Sequence, residues 1–213
     1  MQLDTAISLC ENAKILLPDG FWATMQKYVQ MLTEHNDRAG LLSPREFEYI
    51  WDRHILDSLS VLFFDEMTCE MAVLDYGSGG GLPGIVLACA CPKVKFLLAE
   101  SLHRKSAFLT DAIKSLKIGN AIIFAGRVSE ISEKFDRITI RAAGPLNRTL
   151  PDAIKHLKIF GKIALWAGPS FIADTGYWDR FCEKRGAELK ILPYPEKWHS
   201  SGSLGIAFIT LLP

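Results

Sequence analysis

Nowhere in the 213 residues does an apolar run approach the roughly 18 residues that a membrane-crossing helix needs, so no membrane partner is expected. Repeats, low-complexity tracts and an evident interdomain linker are also missing, which argues against solenoid and fibrous classes. Cysteine is sparse and odd in number: Cys10, Cys69, Cys89, Cys91 and Cys182 include no C-x-x-C pair and have no histidine at ligand spacing. Such thiols read as reduced and mostly buried, with no metal site and a cytoplasmic location implied. The start, Met1-Gln2-Leu3-Asp4, is acidic rather than basic, so a secretory signal is not expected. Net charge is likewise absent, with 24 Lys and Arg against 24 Asp and Glu. That zero conceals a polarity: residues 1–65 carry a net of −5 and residues 66–213 a net of +5. An excess of positive charge in one half is compatible with a polyanionic partner but does not require one.

What is present suits one globular domain with an appendage: the chain is 49% hydrophobic and 23% charged. Residues 3–36 read as two helices, the second with Phe21, Met25, Tyr28, Val29 and Leu32 on one face. A third helix starts at Ser43, with Pro44 at its first position and Glu46 completing a capping box, and is expected to continue through Leu62. After about residue 70 the period changes. Strand-like runs fall at 71–75, 94–99, 120–125, 136–141 and 161–167, with helical patterns between most of them. The plainest of these helices spans Leu102 to Leu116, with Ala107, Phe108, Ala112, Ile113 and Leu116 on one stripe. Near-continuous apolar strands alternating with helices indicate a parallel sheet covered on both faces. After a helix near 173–185, runs at 187–193 and 204–212 have no helix between them and should pair antiparallel. The expected organisation is an α/β fold: an N-terminal helical extension (1–65) packed on a Rossmann-like domain (66–213).

The most informative stretch is Val73-Leu74-Asp75-Tyr76-Gly77-Ser78-Gly79-Gly80-Gly81-Leu82-Pro83-Gly84. A strand, a glycine turn and a helix N-terminus together make a nucleotide- or cofactor-binding corner. Two patterns overlap there. Gly79, Gly81 and Gly84 satisfy the dinucleotide fingerprint G-x-G-x-x-G; Gly77, Gly79 and Gly81 satisfy the G-x-G-x-G of methyltransferases that use S-adenosylmethionine. The fingerprint's first glycine should follow the strand at once, and Gly77 holds that place, with Leu82 where its last glycine should be. Glu100, at the end of the next strand, is placed to accept hydrogen bonds from a ribose diol, which both cofactors carry. It also neighbours the start of a helix, which is the simpler role for it. No substrate domain remains for a dehydrogenase, and an antiparallel final hairpin on a parallel sheet is what the seven-stranded class I methyltransferase sheet has. The residues therefore favour a methyltransferase over an NAD(P)-dependent oxidoreductase or a non-catalytic nucleotide-binding module.

With these residues in view, the chain resembles the bacterial small-subunit (16S) ribosomal RNA guanine-N7 methyltransferase G family, also called the glucose-inhibited division protein B family. The resemblance is carried by Arg53-His54-Ile55-Leu56-Asp57-Ser58, by Gly77 to Gly84, by Glu100-Ser101-Leu102-His103-Arg104-Lys105 with Phe108-Leu109, by Gly126-Arg127-Val128 and by Ile140-Arg141-Ala142. It covers roughly residues 25–170. It implies methyl transfer from S-adenosylmethionine to N7 of a guanine in the 530 loop of 16S ribosomal RNA, with the small ribosomal subunit as partner and the chain acting as a monomer. Carried over by position, Gly77, Gly79 and Leu82 in the first loop, Glu100, Val128 and Ser129 after the third strand, and Arg141 after the fourth would line the cofactor site. The chain departs from the family pattern at Gly40-Leu41-Leu42, at Ser129-Glu130 and around Lys197-Trp198-His199-Ser200.

Guanine N7 has a lone pair and no proton, so no catalytic base is assigned. Arg141 is expected near the methionine carboxylate or an RNA phosphate, because a cation beside the base would oppose its developing positive charge. Arg104, Lys105, Arg127 and Arg148 are candidates for phosphate contact. His54 and Asp57 read as a structural network docking the N-terminal helices rather than as chemistry. Trp51, Trp166 and Trp178 read as core or rim aromatics, leaving Trp198 as the tryptophan to test for stacking on a base.

Overall fold

The apolar runs of the second half become one sheet in the computed structural model, which describes residues 2–68, 70–195, 198 and 204–213. Its strands are β1 (Ala72–Tyr76), β2 (Lys95–Ala99), β3 (Ala121–Phe124), β4 (Phe135–Ile140), β5 (Leu157–Ala167), β6 (Ala187–Pro193) and β7 (Gly205–Leu211), in the order β3-β2-β1-β4-β5-β7-β6. β1 to β5 pair in parallel, and β7 inserts antiparallel between β5 and β6. This is the seven-stranded class I methyltransferase sheet that the sequence indicates. The strand order reverses between β1 and β4, and in open α/β sheets the crevice at such a point, beyond the strand carboxyl ends, is where ligands bind.

Alternating side chains feed two cores, one on each face. Val73, Phe96, Leu98, Trp166 and Phe208 face α2 (Phe21–Ala39), α5 (Gly84–Ala90) and α6 (His103–Ser115); Leu74, Ile138, Ile140, Leu165 and Ile209 face α7 (Leu146–Lys155) and α9 (Thr175–Glu183). A short α8 (Pro169–Ala173) precedes α9. The N-terminal helices, α1 (Leu3–Asn12) and α2, belong to the first core: Ala6, Cys10, Met25, Tyr28 and Leu32 are buried in it. On α6 the stripe is shifted from the expected one. Ala107 is exposed, and Ser106 and Leu109 take the buried positions beside Phe108 and Ala112.

The third helix departs from the single α-helix expected. After α3 (Pro44–Phe47) the chain winds as a π-helix over Ile50–Leu56, returns to one α turn, α4 (Asp57–Leu59), and ends in a 3₁₀ turn over Ser60–Phe63. The predicted cap is present, with the Ser43 N–H donating to Glu46 Oε2 at 2.7 Å. π segments are rare and concentrate at functional positions. Here the wider turn presents the Arg53 carbonyl, His54 and Asp57 to one guanidinium, that of Arg141. Beside the sheet, Asp65 is buried and takes both Arg137 Nε and Nη2, the latter at 2.9 Å, with Lys162 Nζ at 3.1 Å.

Cys10 and Cys182 are buried, and Cys89 and Cys91 are partly buried; all four are free, and Cys69 lies outside the described residues. Burial pushes the thiols of Cys10 and Cys89 up to about 12 and those of Cys91 and Cys182 up to about 11, so they stay protonated. Among the described residues no helix is long and apolar enough to cross a membrane.

Candidate cofactor site

β1 ends at Tyr76, and the chain turns through Gly77, Gly79 and Gly81, all with positive φ, before α5 begins at Gly84. The conformation is required as well as permitted at Gly81. Its φ is +91°, and a Cβ there would lie 2.8 Å from Ile85 and 2.9 Å from the Tyr28 hydroxyl. At Gly84 the constraint is contact alone, since a Cβ would stand 2.4 Å from Asp75 Oδ2 and 2.9 Å from Leu98. The turn is stitched to its neighbours by backbone bonds: Ser78 N–H to the Ala99 carbonyl at 2.9 Å and Gly81 N–H to the Ser78 carbonyl at 2.7 Å.

Glu100 occupies the predicted place at the carboxyl end of β2. One oxygen accepts the Gly79 N–H at 2.8 Å and the other accepts the Leu102 N–H at 2.7 Å. The carboxylate thus serves the start of α6 and the glycine turn together. An ionised carboxylate has about four acceptor positions, so both oxygens keep lone pairs for further donors. Glu100 is 7% exposed, held in one orientation by these two backbone bonds.

Asp75 is fully buried at the end of β1. Burial raises its carboxyl above the ordinary range, opposed by the Thr139 hydroxyl that donates to Oδ1 at 2.7 Å. Its Oδ2 lies against Gly84, the first residue of α5, whose backbone N–H also helps hold the carboxyl down.

Arg141, just past β4, is surrounded by protein acceptors. It donates to the Leu82 carbonyl (3.3 Å), the Arg53 carbonyl (2.9 Å), Asp57 Oδ2 (3.2 Å) and His54 Nδ1 (2.9 Å). Because a guanidinium only donates, His54 accepts through Nδ1 and carries its proton on Nε2. Burial, and then the Arg141 charge, lower the His54 pKa to about 4, so the ring is neutral near pH 7. Nε2 has no hydrogen-bond partner among the described residues and stands 3.8 Å from Glu46 Oε1. Asp57 is fixed from its other side by the Tyr194 hydroxyl at 2.9 Å, and its carbonyl accepts the Trp166 indole N–H at 2.6 Å. His54 and Asp57 therefore join three parts of the chain.

Gly77, Gly79, Leu82, Glu100 and Arg141 are thus assembled around one turn. Val128 and Ser129 lie farther along the same carboxyl edge, on a 3₁₀ turn (Val128–Glu130) after β3; Val128 is buried and Ser129 exposed. The Glu100 N–H donates to the Phe124 carbonyl at 3.0 Å, which places the end of β3 beside Glu100. Arg104, Arg127 and Arg148 are exposed at this edge and Lys105 half-buried. Trp198 is not available for stacking on a base. It is 4% exposed in the first core and packs edge-on against Phe63, the ring centroids 4.5 Å apart; Lys197, His199 and Ser200 lie outside the described residues.

Two participants escape a reading by motif. Tyr28, assigned to the apolar face of α2, donates its hydroxyl to the Gly80 carbonyl. A tyrosine in a stripe with no other polar atom is the available signal, since a buried hydroxyl needs a partner. Asn36 holds the corner after α2, accepting from Leu41 N–H (3.0 Å) and Leu42 N–H (2.9 Å) and donating to the Leu42 carbonyl (2.9 Å), which sets Leu41 against Gly80.

Comparison with known proteins places this site in context. A family model described as rRNA small subunit methyltransferase G matches residues 22–193. A protein named ribosomal RNA small subunit methyltransferase G from Thermobifida fusca is 34% identical over 146 residues, covering 67% of this chain and 60% of its own length. Its namesake from Streptomyces coelicolor is 32% identical over 182 residues, covering 84% and 74%. Solved structures agree on the fold. A rRNA methylase from Streptococcus thermophilus aligns with a TM-score of 0.53 at 12% identity, covering 74% of this chain and 94% of that one. TYW2 from M. jannaschii, in complex with AdoMet, aligns at 0.55 and 17% identity, covering 80% and 76%.

Proposed function

Because the chain belongs to the rRNA small subunit methyltransferase G family, we propose that it transfers a methyl group from S-adenosylmethionine to N7 of a guanine in the 530 loop of 16S ribosomal RNA. The observation that carries the cofactor reading is Glu100, buried and clamped between two backbone N–H groups, with lone pairs left over beside a glycine turn. A ribose diol offers two hydroxyl donors to such a carboxylate. Gly77, Gly79 and Leu82 would border the bound group along the turn, Val128 and Ser129 its adenine end, and Arg141 would act on it through the Leu82 carbonyl. Bound there, S-adenosylmethionine supplies an electrophilic sulfonium methyl.

The remaining work falls to positioning. Guanine N7 needs no deprotonation, so no side chain is required as a base, and alignment of nucleophile and methyl can supply about 7–11 kcal/mol of a barrier. The base gains positive charge as the methyl arrives, which an uncompensated cation nearby would oppose. Asp57 compensates Arg141 at 3.2 Å, so the guanidinium can organise the site without that penalty. Since N7 faces the deep, narrow major groove of an RNA duplex, the target belongs in a loop or splayed out of a helix. Arg104, Lys105, Arg127 and Arg148 would meet the flanking phosphates.

The test is incubation with labelled methyl donor and small ribosomal subunits from a strain lacking the gene, followed by mapping of the modified base. Label at N7 of one guanine in the 530 loop is the expected result. Label on another base, or on none, refutes the assignment.

A further inference from the structure

Five glycines within eight positions give the turn after β1 little conformational preference of its own, so something outside it must select the shape a cofactor meets. The anchors can be named. Glu100 holds the Gly79 N–H, Arg141 holds the Leu82 carbonyl, and between them the Gly80 carbonyl is held by Tyr28, 52 residues earlier in the chain. The phenol is completely buried on α2. Two more side chains of the N-terminal segment border the same residue: a Cβ at Gly80 would lie in ordinary contact with Leu32 at 3.4 Å and Leu41 at 3.5 Å. Arg141 itself is oriented by the Arg53 carbonyl and His54. Two of the three anchors therefore depend on residues 1–65.

We propose that the N-terminal helical segment is the template of the cofactor turn, with Tyr28 as its positioning residue: the hydroxyl fixes the Gly80 carbonyl and so selects the peptide orientation that binds S-adenosylmethionine. This rests on the glycine turn being the S-adenosylmethionine site. Without the hydroxyl, the carbonyl is buried without a donor, and the 80–81 peptide, flanked by glycine on both sides, is free to rotate away. A turn that is competent only part of the time binds more weakly in proportion to the competent fraction. Linkage requires the converse as well: a ligand that orders the turn must tighten α2.

Tyr28→Phe keeps the ring that fills the core and removes only the donor. S-adenosylhomocysteine binding by calorimetry should weaken about tenfold, corresponding to a competent fraction near one in ten. In turnover the loss should appear as a matching rise in the KM for S-adenosylmethionine, with the KM for small subunits within about twofold of wild type. Phe21→Leu, a packing change on the same helix away from the turn, should lower the melting temperature and leave S-adenosylhomocysteine affinity unchanged. Wild-type affinity in Tyr28→Phe overturns the proposal, as does an equal loss in Phe21→Leu. If Tyr28→Phe does not fold, amide exchange of the wild type decides: S-adenosylhomocysteine should slow exchange across residues 25–32, and protection confined to 77–84 and 100–102 overturns the proposal. Failure of the wild type to bind S-adenosylhomocysteine refutes the cofactor assignment beneath it and is seen before any variant is made.

Discussion

His54 should make the protein's stability fall with acid over a defined range. The residue is 7% exposed, accepts from Arg141 at 2.9 Å, and has Glu46 and Arg53 as its other charged neighbours. Its pKa in the folded protein is about 4, against an ordinary value of 6.5. Between those values the unfolded chain binds a proton that the folded protein refuses, so stability is fully present above pH 6.5 and is lost as pH falls toward 4. At pH 5 the loss relative to pH 7.5 comes to about 2 kcal/mol, near 1 M in the urea midpoint for an m value of about 2 kcal/mol per molar. Glu46 does not account for it. Partial burial opposes ionisation, but hydrogen bonds from the Ser43 hydroxyl and amide hold its carboxyl below the ordinary range, so it titrates at lower pH. His54→Asn puts an amide oxygen where Nδ1 accepts and cannot be protonated. Urea titrations of both proteins at pH 7.5 and 5.0 should give a difference between the two pH values that is larger in the wild type by about 2 kcal/mol. Equal pH dependence would refute the assignment of His54 as a buried, neutral acceptor.

Glu100→Ala removes the acceptor of two backbone N–H groups and of the proposed diol, so S-adenosylhomocysteine affinity should fall by more than 100-fold, about 3 kcal/mol, in calorimetry. Asp65→Ala leaves Arg137 and Lys162 facing each other without an acid and should destabilise by about 3–5 kcal/mol in chemical denaturation. Gly84→Ala forces a methyl against Asp75 Oδ2 and Leu98, and should lower both melting temperature and cofactor affinity because α5 must shift away from β1. Trp198→Phe, a change in the core rather than at an RNA surface, should leave the KM for small subunits unchanged.

The sheet was legible because near-continuous apolar runs have few alternatives. Every strand read from the sequence is present with ends displaced by a few residues at most. The largest displacement is instructive. The apolar pattern places the fifth strand at 161–167, whereas β5 begins at Leu157, with a register shift against β4 between Phe135 and Arg137. Ile159 and Phe160 are exposed there, and Phe160 has a φ of +63°, so the strand's first half does not carry the pattern that announces its second. The π winding over Ile50–Leu56 was not legible for a different reason: what stabilises it, Arg141, lies 87 residues beyond His54. Tyr28 and Gly80 are separated in the same way. Local periodicity reports which face of an element is buried; it carries no record of what a polar atom on that face meets.

The charge polarity of the chain takes on a second meaning in this light. An acidic first half and a basic second half suggest, in sequence, a surface for a polyanion. In the structure, acids of the first half are buried against cations of the second: Asp57 with Arg141, and Asp65 with Arg137 and Lys162. Part of the positive excess after residue 65 is thus consumed at the joint between the N-terminal helices and the sheet, paired with buried acids. On the proposed function, attraction for RNA would come from cations outside that joint; Arg104, Arg127 and Arg148 are exposed at the carboxyl edge that the glycine turn also occupies. Removing these arginines should reduce the salt dependence of small-subunit binding by about one phosphate contact each and leave folding intact. Replacing Arg137 or Arg141 should do the reverse, because their charges hold the extension in place.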